Sequence, residues 1–425
     1  MITIWKYRTN GGVTLKYAWV IKGDFFRLWS GTFLSLFSSV FFYYSLVWWS
    51  LSETGSALSG SVVIGIGLTV SILISPFTGW LSDRFHRGKL IAASDMIIST
   101  VFLIIGFLSL SGMSSVMLLA VARVIVSACL TAIEPAARSL LPDTLRKEQI
   151  EKGIAFQEVI TQLIQVIVPL VTGVLFSFLH FGWLWVLCGS LSFLSIFLEW
   201  RIKDKRGSQK RIPFTNKQLF SGFTSLFQNK PLKYLLYGTS IQQLVFSGFP
   251  IYIVIWTSLL LKDQAWLGGA FQSFWACGTL SAALFLSFIA KPEHAKAAVP
   301  ALMLIFGLLL SPLGWINHVV LGAAILIVIG MISGVVNIYI EGYLQRVTEG
   351  ENRGRSLGSF FAVNSSFMPL GYAAAGMLSD AVSPEYLFLI VALPAPFAAF
   401  SMMRSFYLWE KQTKETVALQ DKTSM

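Results

Sequence analysis

Two carboxylates, Glu134 and Glu158, and one guanidinium, Arg123, stand inside stretches that are otherwise apolar. Arg123 and Glu134 are eleven residues apart, which on a helix places them roughly 16 Å apart along the axis and nearly back on one face. Ser127 and Thr131 fall on or near that face. Glu158, Gln162, Gln165, Pro169 and Thr172 repeat the pattern at three- and four-residue spacing. A charge at membrane depth is costly unless it meets a cavity or a partner. A carboxyl so placed can take up and release a proton, with burial and a nearby Arg123 pulling its proton affinity in opposite directions. Interhelical hydrogen bonding that only holds a bundle together accounts for both stripes as well. Asn337 and Glu341, one turn apart, are candidates for an opposing polar wall, followed by Gln242, Gln243, Gln272 and Asn364. Asp95 reads as a structural partner for charges at a helix end. Tyr43, Tyr44 and Trp48 are the aromatics best placed to meet an apolar ligand.

Other chemistries have no foothold. His86, His180, His294 and His318 form no HExxH pair, and there is no GxxxxGK[ST] phosphate loop or nucleophile–base signature. No metal, no cofactor and no enzymatic reaction are expected. Cys129, Cys188 and Cys277 lie in apolar stretches and read as packed thiols.

The elements that must position these residues follow from composition. The chain has 425 residues, of which 55% are hydrophobic and 12% charged, against about 25% charged in a soluble domain. It is therefore an all-α polytopic membrane protein with about twelve spans. These fall roughly at 26–50, 57–81, 90–111, 115–141, 153–178, 183–201, 235–260, 266–289, 296–316, 318–341, 356–378 and 384–405. Pro76, Pro135 and Pro169 make the second, fourth and fifth the least regular. The net charge of +11 is unevenly spread. Alternate connections carry Arg84, Arg87 and Lys89; Arg138, Arg146, Lys147 and Lys152; Arg201 through Lys233; Lys291 and Lys296; Arg346, Arg353 and Arg355. The remaining connections hold only Lys262. That asymmetry predicts a cytoplasmic location for the basic set and both termini, and attraction to anionic lipid heads rather than to nucleic acid. The first 23 residues lack a continuous apolar core and a cleavage site, so no cleaved signal is expected.

The domain reading is a segment 1–25, a six-helix half 26–201, a basic connection 202–234, a second half 235–405 and a tail 406–425. Within the connection, 217–227 is amphipathic and suits the interface. Residues 290–296 are a worn echo of the loop 79–89, which supports duplication.

That loop, Gly79-x-Leu81-Ser82-Asp83-Arg84-x-x-Arg87-x-Lys89, resembles the signature between the second and third helices of the major facilitator superfamily, with His86 where a glycine is usual. Pro142-Asp143 with Lys147-Glu148-Gln149, and Tyr343-Leu344-Gln345-Arg346 with Arg353-Gly354-Arg355, resemble its macrolide-efflux and enterobactin-exporter-like branch. The resemblance implies two pseudo-symmetric six-helix bundles. It also implies a cytoplasmic gate formed by Gly79, Asp83, Arg84, Arg87, Lys89 and Asp143, although such a loop can also serve only as a topology signal. Arg123 takes the place of a fourth-helix arginine tied to proton coupling, and Val168-Pro169-x-x-x-Gly173 resembles a fifth-helix antiporter motif. The implied function is secondary active transport by alternating access: proton-coupled efflux of an amphipathic small molecule such as a drug, antibiotic or siderophore-like compound. A monomer in the inner or plasma membrane is expected. Nutrient import, lipid flipping and a non-transporting receptor or scaffold are the alternatives.

Overall fold

The structure, a computed structural model, describes residues 6–9, 12–15, 23–145, 150–202, 226–260, 265–289, 295–347 and 353–423. All twelve expected spans occur. They are α1 (Asp24–Thr54), α2 (Ala57–Arg84), α3 (Arg87–Leu110), α4 (Val116–Thr144), α5 (Ile150–Phe176), α6 (Phe181–Glu199), α7 (Lys230–Ser247) with α8 (Phe249–Leu260), α9 (Ala265–Ile289), α10 (Ala295–Leu310), α11 (Val319–Val347), α12 (Arg353–Ala381) and α13 (Pro384–Ala392) with α14 (Ala395–Thr423).

The helix ends and breaks have local causes. The seventh span divides at Gly248, two residues before Pro250, and the last divides at Pro394, because proline has no N–H to continue a helical ladder. Pro76, Pro135 and Pro169 by contrast sit inside unbroken helices. Imidazoles cap helix starts: His86 Nδ1 accepts from Lys89 N at 3.4 Å, His180 Nδ1 from Gly182 N at 3.1 Å and His318 Nδ1 from Leu321 N at 3.4 Å. These side chains satisfy orphan N–H groups of the first turn. The tail is helical through Thr423, and ahead of α1 a short antiparallel hairpin pairs Lys6–Thr9 with Gly12–Leu15.

Among the described residues, eleven helical stretches are long and apolar enough to cross a bilayer. The exception is α12, which has the length but carries Ser359, Asn364, Ser365, Ser366, Ser379 and Asp380.

Contacts divide the chain into two compact units. The first comprises Met1–Tyr43, Leu73–Gln165 and Leu179–Ile212. Its centre is the crossing of α3 and α6, where a Cβ on Gly106 would meet the Gly182 carbonyl at 2.9 Å and a Cβ on Gly182 the Gly106 carbonyl at 2.8 Å. Small residues let membrane helices approach to backbone contact, where packing and hydrogen bonds replace the hydrophobic effect as the driving force. Ser99 Oγ seals the pair by donating to Gly189 O at 2.8 Å. Phe42 packs on Phe102 at 4.7 Å between centroids. Phe107, Phe193, Phe197 and Trp183 remain exposed, as lipid-facing positions require.

The second unit comprises Tyr44–Ile72, Val166–Phe178 and Pro213–Met425. Here α9 and α11 cross at Gly278 and Gly330. A Cβ at either position would run into backbone of the other helix, the Ile327 carbonyl in one case and the Trp275 carbonyl in the other. α14 is stitched to α7 by Ser401 Oγ donating to Tyr234 O and Ser405 Oγ to Pro231 O, each at 2.7 Å. The start of α2 also belongs to this unit. Asp380, at the end of α12, accepts from Ala57 N at 2.8 Å, from Leu58 N at 3.2 Å and from the Ser56 hydroxyl. One carboxylate thus satisfies N–H groups at the positive end of a helix dipole.

Candidate functional site

The charged residues at the α2–α3 connection are partly brought together. Arg87 opens α3 and is buried. Its Nη1 donates to Asp143 Oδ2 at 2.8 Å and to the Ser139 carbonyl at 2.7 Å, both near the end of α4. Arg84 and Lys89 are exposed. Gly79 and Asp83 lie in the last turns of α2, but the surroundings of Gly79 and the side chain of Asp83 fall outside what is described, as do Lys147, Glu148 and Gln149. The described pair therefore braces α3 against α4 within the first unit. Arg87→Met is expected to cost about 2 kcal/mol, the range for a hydrogen bond to a charged group reduced for the partial exposure of Asp143. Asp143→Asn, which still accepts, should cost less. Thermal unfolding of the purified protein checks both; equal melting curves would reduce the pair to surface decoration.

The polar stripe on α4 separates into two environments. Arg123 is buried, 8% exposed, with its guanidinium 6.0 Å from the Tyr43 ring centroid, a cation–π geometry. Glu134 is exposed and paired with Arg138 at 2.9 Å, one turn along. On α5, Gln162 and Gln165 are exposed one turn apart, while the side chain of Glu158 is outside the described residues. Tyr44 and Trp48 are packing residues: both are buried, and Trp48 fills the space against Gly268.

The second unit gathers the remaining candidates. Gln242 and Gln243 on α7, Asn337 and Glu341 on α11 and Asn364 on α12 line one cleft of about 240 Å³, with Thr239, Ile340, Leu344, Phe360 and Phe361. Gln242 Nε2 donates to Asn337 Oδ1 at 3.2 Å. That bond leaves Gln242 Oε1 buried without a donor among the described residues, and Asn364 Oδ1 is in the same condition. Buried acceptors are nearly always satisfied in native proteins, so two on one cleft mark a place where a ligand's N–H or O–H can bind. The most polar span, α12, supplies Asn364 and both phenylalanines. Gln272 is not part of this cleft; it is buried and donates to Pro250 O at 3.3 Å.

Asp95 is not a partner of the Arg87 group. It is fully buried and accepts from Ser35 Oγ and Ser195 Oγ at 2.6 Å each. Glu199, also fully buried, is its carboxyl neighbour, one turn along α6 from Ser195. Sequence reasoning passed over Glu199. Its one signal is an acid closing the otherwise apolar sixth span.

Residues 28–369 match the Major Facilitator Superfamily. Macrolide efflux protein A of Streptococcus pyogenes is 22% identical over 88% of this chain and 93% of its own length. The staphylopine export protein of Staphylococcus aureus is 23% identical over 78% of this chain and 83% of its own. Among solved structures, the nucleoside transporter NupG superposes with a TM-score of 0.71 at 12% identity, covering 91% of this chain and 99% of that one. A bacterial homologue of the iron transporter ferroportin does so with a TM-score of 0.70 at 14% identity, covering 89% and 98%. With the span count, the helix crossings and the polar cleft, these matches show that the chain belongs to the Major Facilitator Superfamily and is a multi-pass membrane secondary transporter of small molecules, not an enzyme.

Proposed function

We propose that this transporter is an exporter. It binds an amphipathic small molecule rich in hydrogen-bond donors, a drug, antibiotic or siderophore-like compound, and expels it by alternating access in exchange for protons. The observation that carries this reading is the pair of acceptors without a donor among the described residues, Gln242 Oε1 and Asn364 Oδ1, on the cleft with Glu341, Phe360 and Phe361. A buried unsatisfied acceptor costs about 1–3 kcal/mol, which a ligand hydroxyl or amine relieves. Glu341 favours a cationic group, and the rings favour an apolar body. Two relatives named as exporters support the outward direction. Arg123, Glu134, Gln162 and Gln165 supply further polar groups in the first half, and Glu158 joins them as a candidate by its place in the sequence. The halves are 26–201 and 235–405, with the basic connection 202–234, both termini and the gate loop in the cytoplasm, and the monomer is the working unit.

The test uses inside-out membrane vesicles and a fluorescent amphipathic amine. Acidifying the lumen should drive uptake, and a protonophore should abolish it. Uptake that survives the protonophore overturns proton coupling. Accumulation only in right-side-out vesicles overturns export in favour of import, and scrambling of labelled phospholipid in liposomes favours a flippase.

A further inference from the structure

Glu199 and Asp95 pose an electrostatic problem that their surroundings do not solve. Both carboxyls are 0% exposed. They come together because Ser35 of α1 and Ser195 of α6, both bonded to Asp95, stand one turn from Gly31 and from Glu199, which pack against each other. Asp95 is the better supplied: Ser35 of α1 donates to Oδ1 and Ser195 of α6 to Oδ2, each at 2.6 Å, although the Ser195 proton is shared with the Ser192 carbonyl at 2.7 Å. Neither oxygen of Glu199 has a donor among the described residues. The side chain is held by shape instead. It fills the space that Gly31 of α1 leaves open, where an added Cβ would meet Glu199 Cγ and Oε1 at 2.5 Å.

Among the described residues no lysine, arginine or histidine is ion-paired with either carboxyl: Arg87, on the same helix as Asp95, is engaged with Asp143, and Arg201 is exposed. The titratable neighbour contributed by α4 is the thiol of Cys129, and α1 contributes only the hydroxyl of Ser35 and the gap at Gly31.

Two ionised carboxylates cannot donate to one another, and side by side in a dry site they repel strongly. One proton removes both difficulties. It supplies the missing O–H, lowers the charge of the pair from two to one and lets the Glu199 carboxyl donate to an Asp95 carboxylate already held by two hydroxyls.

We propose that Asp95 and Glu199 bind a single proton between them, on Glu199, and that its release is the protonation step that drives the conformational cycle. This rests on the proton-coupled reading above. Glu199 is the last residue of α6, and its carbonyl oxygen would stand 3.3 Å from a Cβ on Gly88, next to Arg87. The site thus lies just beneath the α2–α3 connection, at the end of the bundle from which a proton can leave. Loss of the proton returns a second charge to the packed centre of α1, α3 and α6. A conformation that opens the contact at Gly31 and hydrates Glu199 is then favoured, and the equilibrium shifts by the difference in proton affinity between the two conformations.

The experiment has two independent readouts on purified protein. Infrared difference spectroscopy should show the C=O stretch of one protonated carboxyl in the wild type, lost in Asp95→Asn and in Glu199→Gln. In proteoliposomes, Glu199→Gln keeps a neutral donor facing Asp95. It should preserve folding and substrate counterflow, while abolishing accumulation driven by a pH gradient. A carboxyl band that persists in both variants, or wild-type accumulation by Glu199→Gln, overturns the proposal. Sodium binding that is lost in Glu199→Gln overturns it in favour of a metal cation. Should the wild type show no response to a pH gradient, the coupling reading fails, while the infrared band still decides whether the pair holds a proton.

Discussion

Replacing Asn364 by leucine is expected to weaken substrate binding about 10- to 100-fold while leaving the empty protein as stable as before or more so. The two effects share one cause. Asn364 Oδ1 is buried on the cleft without a donor among the described residues, and such an atom destabilises the empty protein by about 1–3 kcal/mol. A ligand donor turns that cost into a hydrogen bond, so removing the oxygen relieves the empty state and deprives the bound one. At about 1.4 kcal/mol per tenfold, the bond accounts for the loss in affinity. Glu341→Gln should lower affinity to a similar extent for amine-bearing ligands and little for neutral ones, since only the charge is removed. Ligand-induced tryptophan fluorescence changes and thermal unfolding of the same samples check both halves. Binding and stability that fall together would make Asn364 a packing residue and remove it from the site.

The largest stability loss is expected at Gly330. Even alanine places a Cβ against the Trp275 carbonyl, with Gly278 Cα only 3.2 Å away. The obstacle is backbone, so no rotamer change relieves it; α9 and α11 must separate, and the polar cleft that α11 lines must shift with them. Overpacking of this kind costs about 1–3 kcal/mol and occasionally more. Gly342→Ala is the matched control on the same helix. Its nearest neighbour is Arg346 Nη1 at 3.9 Å, so the sign should reverse, with a gain of up to about 1 kcal/mol from helix propensity. Melting curves in detergent should place the two variants on opposite sides of the wild type. A neutral Gly330→Ala would mean that the crossing is looser than its carbonyl contact indicates.

Span existence was legible because each helix needs its own run of about twenty apolar residues, and that is local information. The cleft was legible for a related reason: Gln242, Gln243, Asn337, Glu341 and Asn364 are polar exceptions in apolar runs. Gln272 is the same kind of exception but donates to the Pro250 carbonyl, a partner 22 residues away in the chain that no local pattern points to. Glu134 was read with Arg123 from helical periodicity. Its partner proves to be Arg138, one turn along, because the shortest route to an opposite charge was on its own helix. The carboxyl pair was beyond sequence reasoning. It joins residues about a hundred positions apart through a glycine on a third helix, and no local pattern encodes three-way proximity.

The Asp380 cap carries a consequence for how the chain is made. The donor at Ala57 and its acceptor are 323 residues apart. At about 5–20 residues per second of synthesis, the start of α2 waits roughly 15–65 s between emerging and meeting its carboxylate. Through that interval its leading amides are left to water or lipid headgroups, so this end of the helix must stay near the membrane surface while eight further spans are inserted. The arrival of α12 then closes the nascent protein from the far end of its own sequence. A ribosome that stalls before residue 380 leaves a chain with nearly every span present and its second helix still unanchored, a difference that a quality-control protease could recognise.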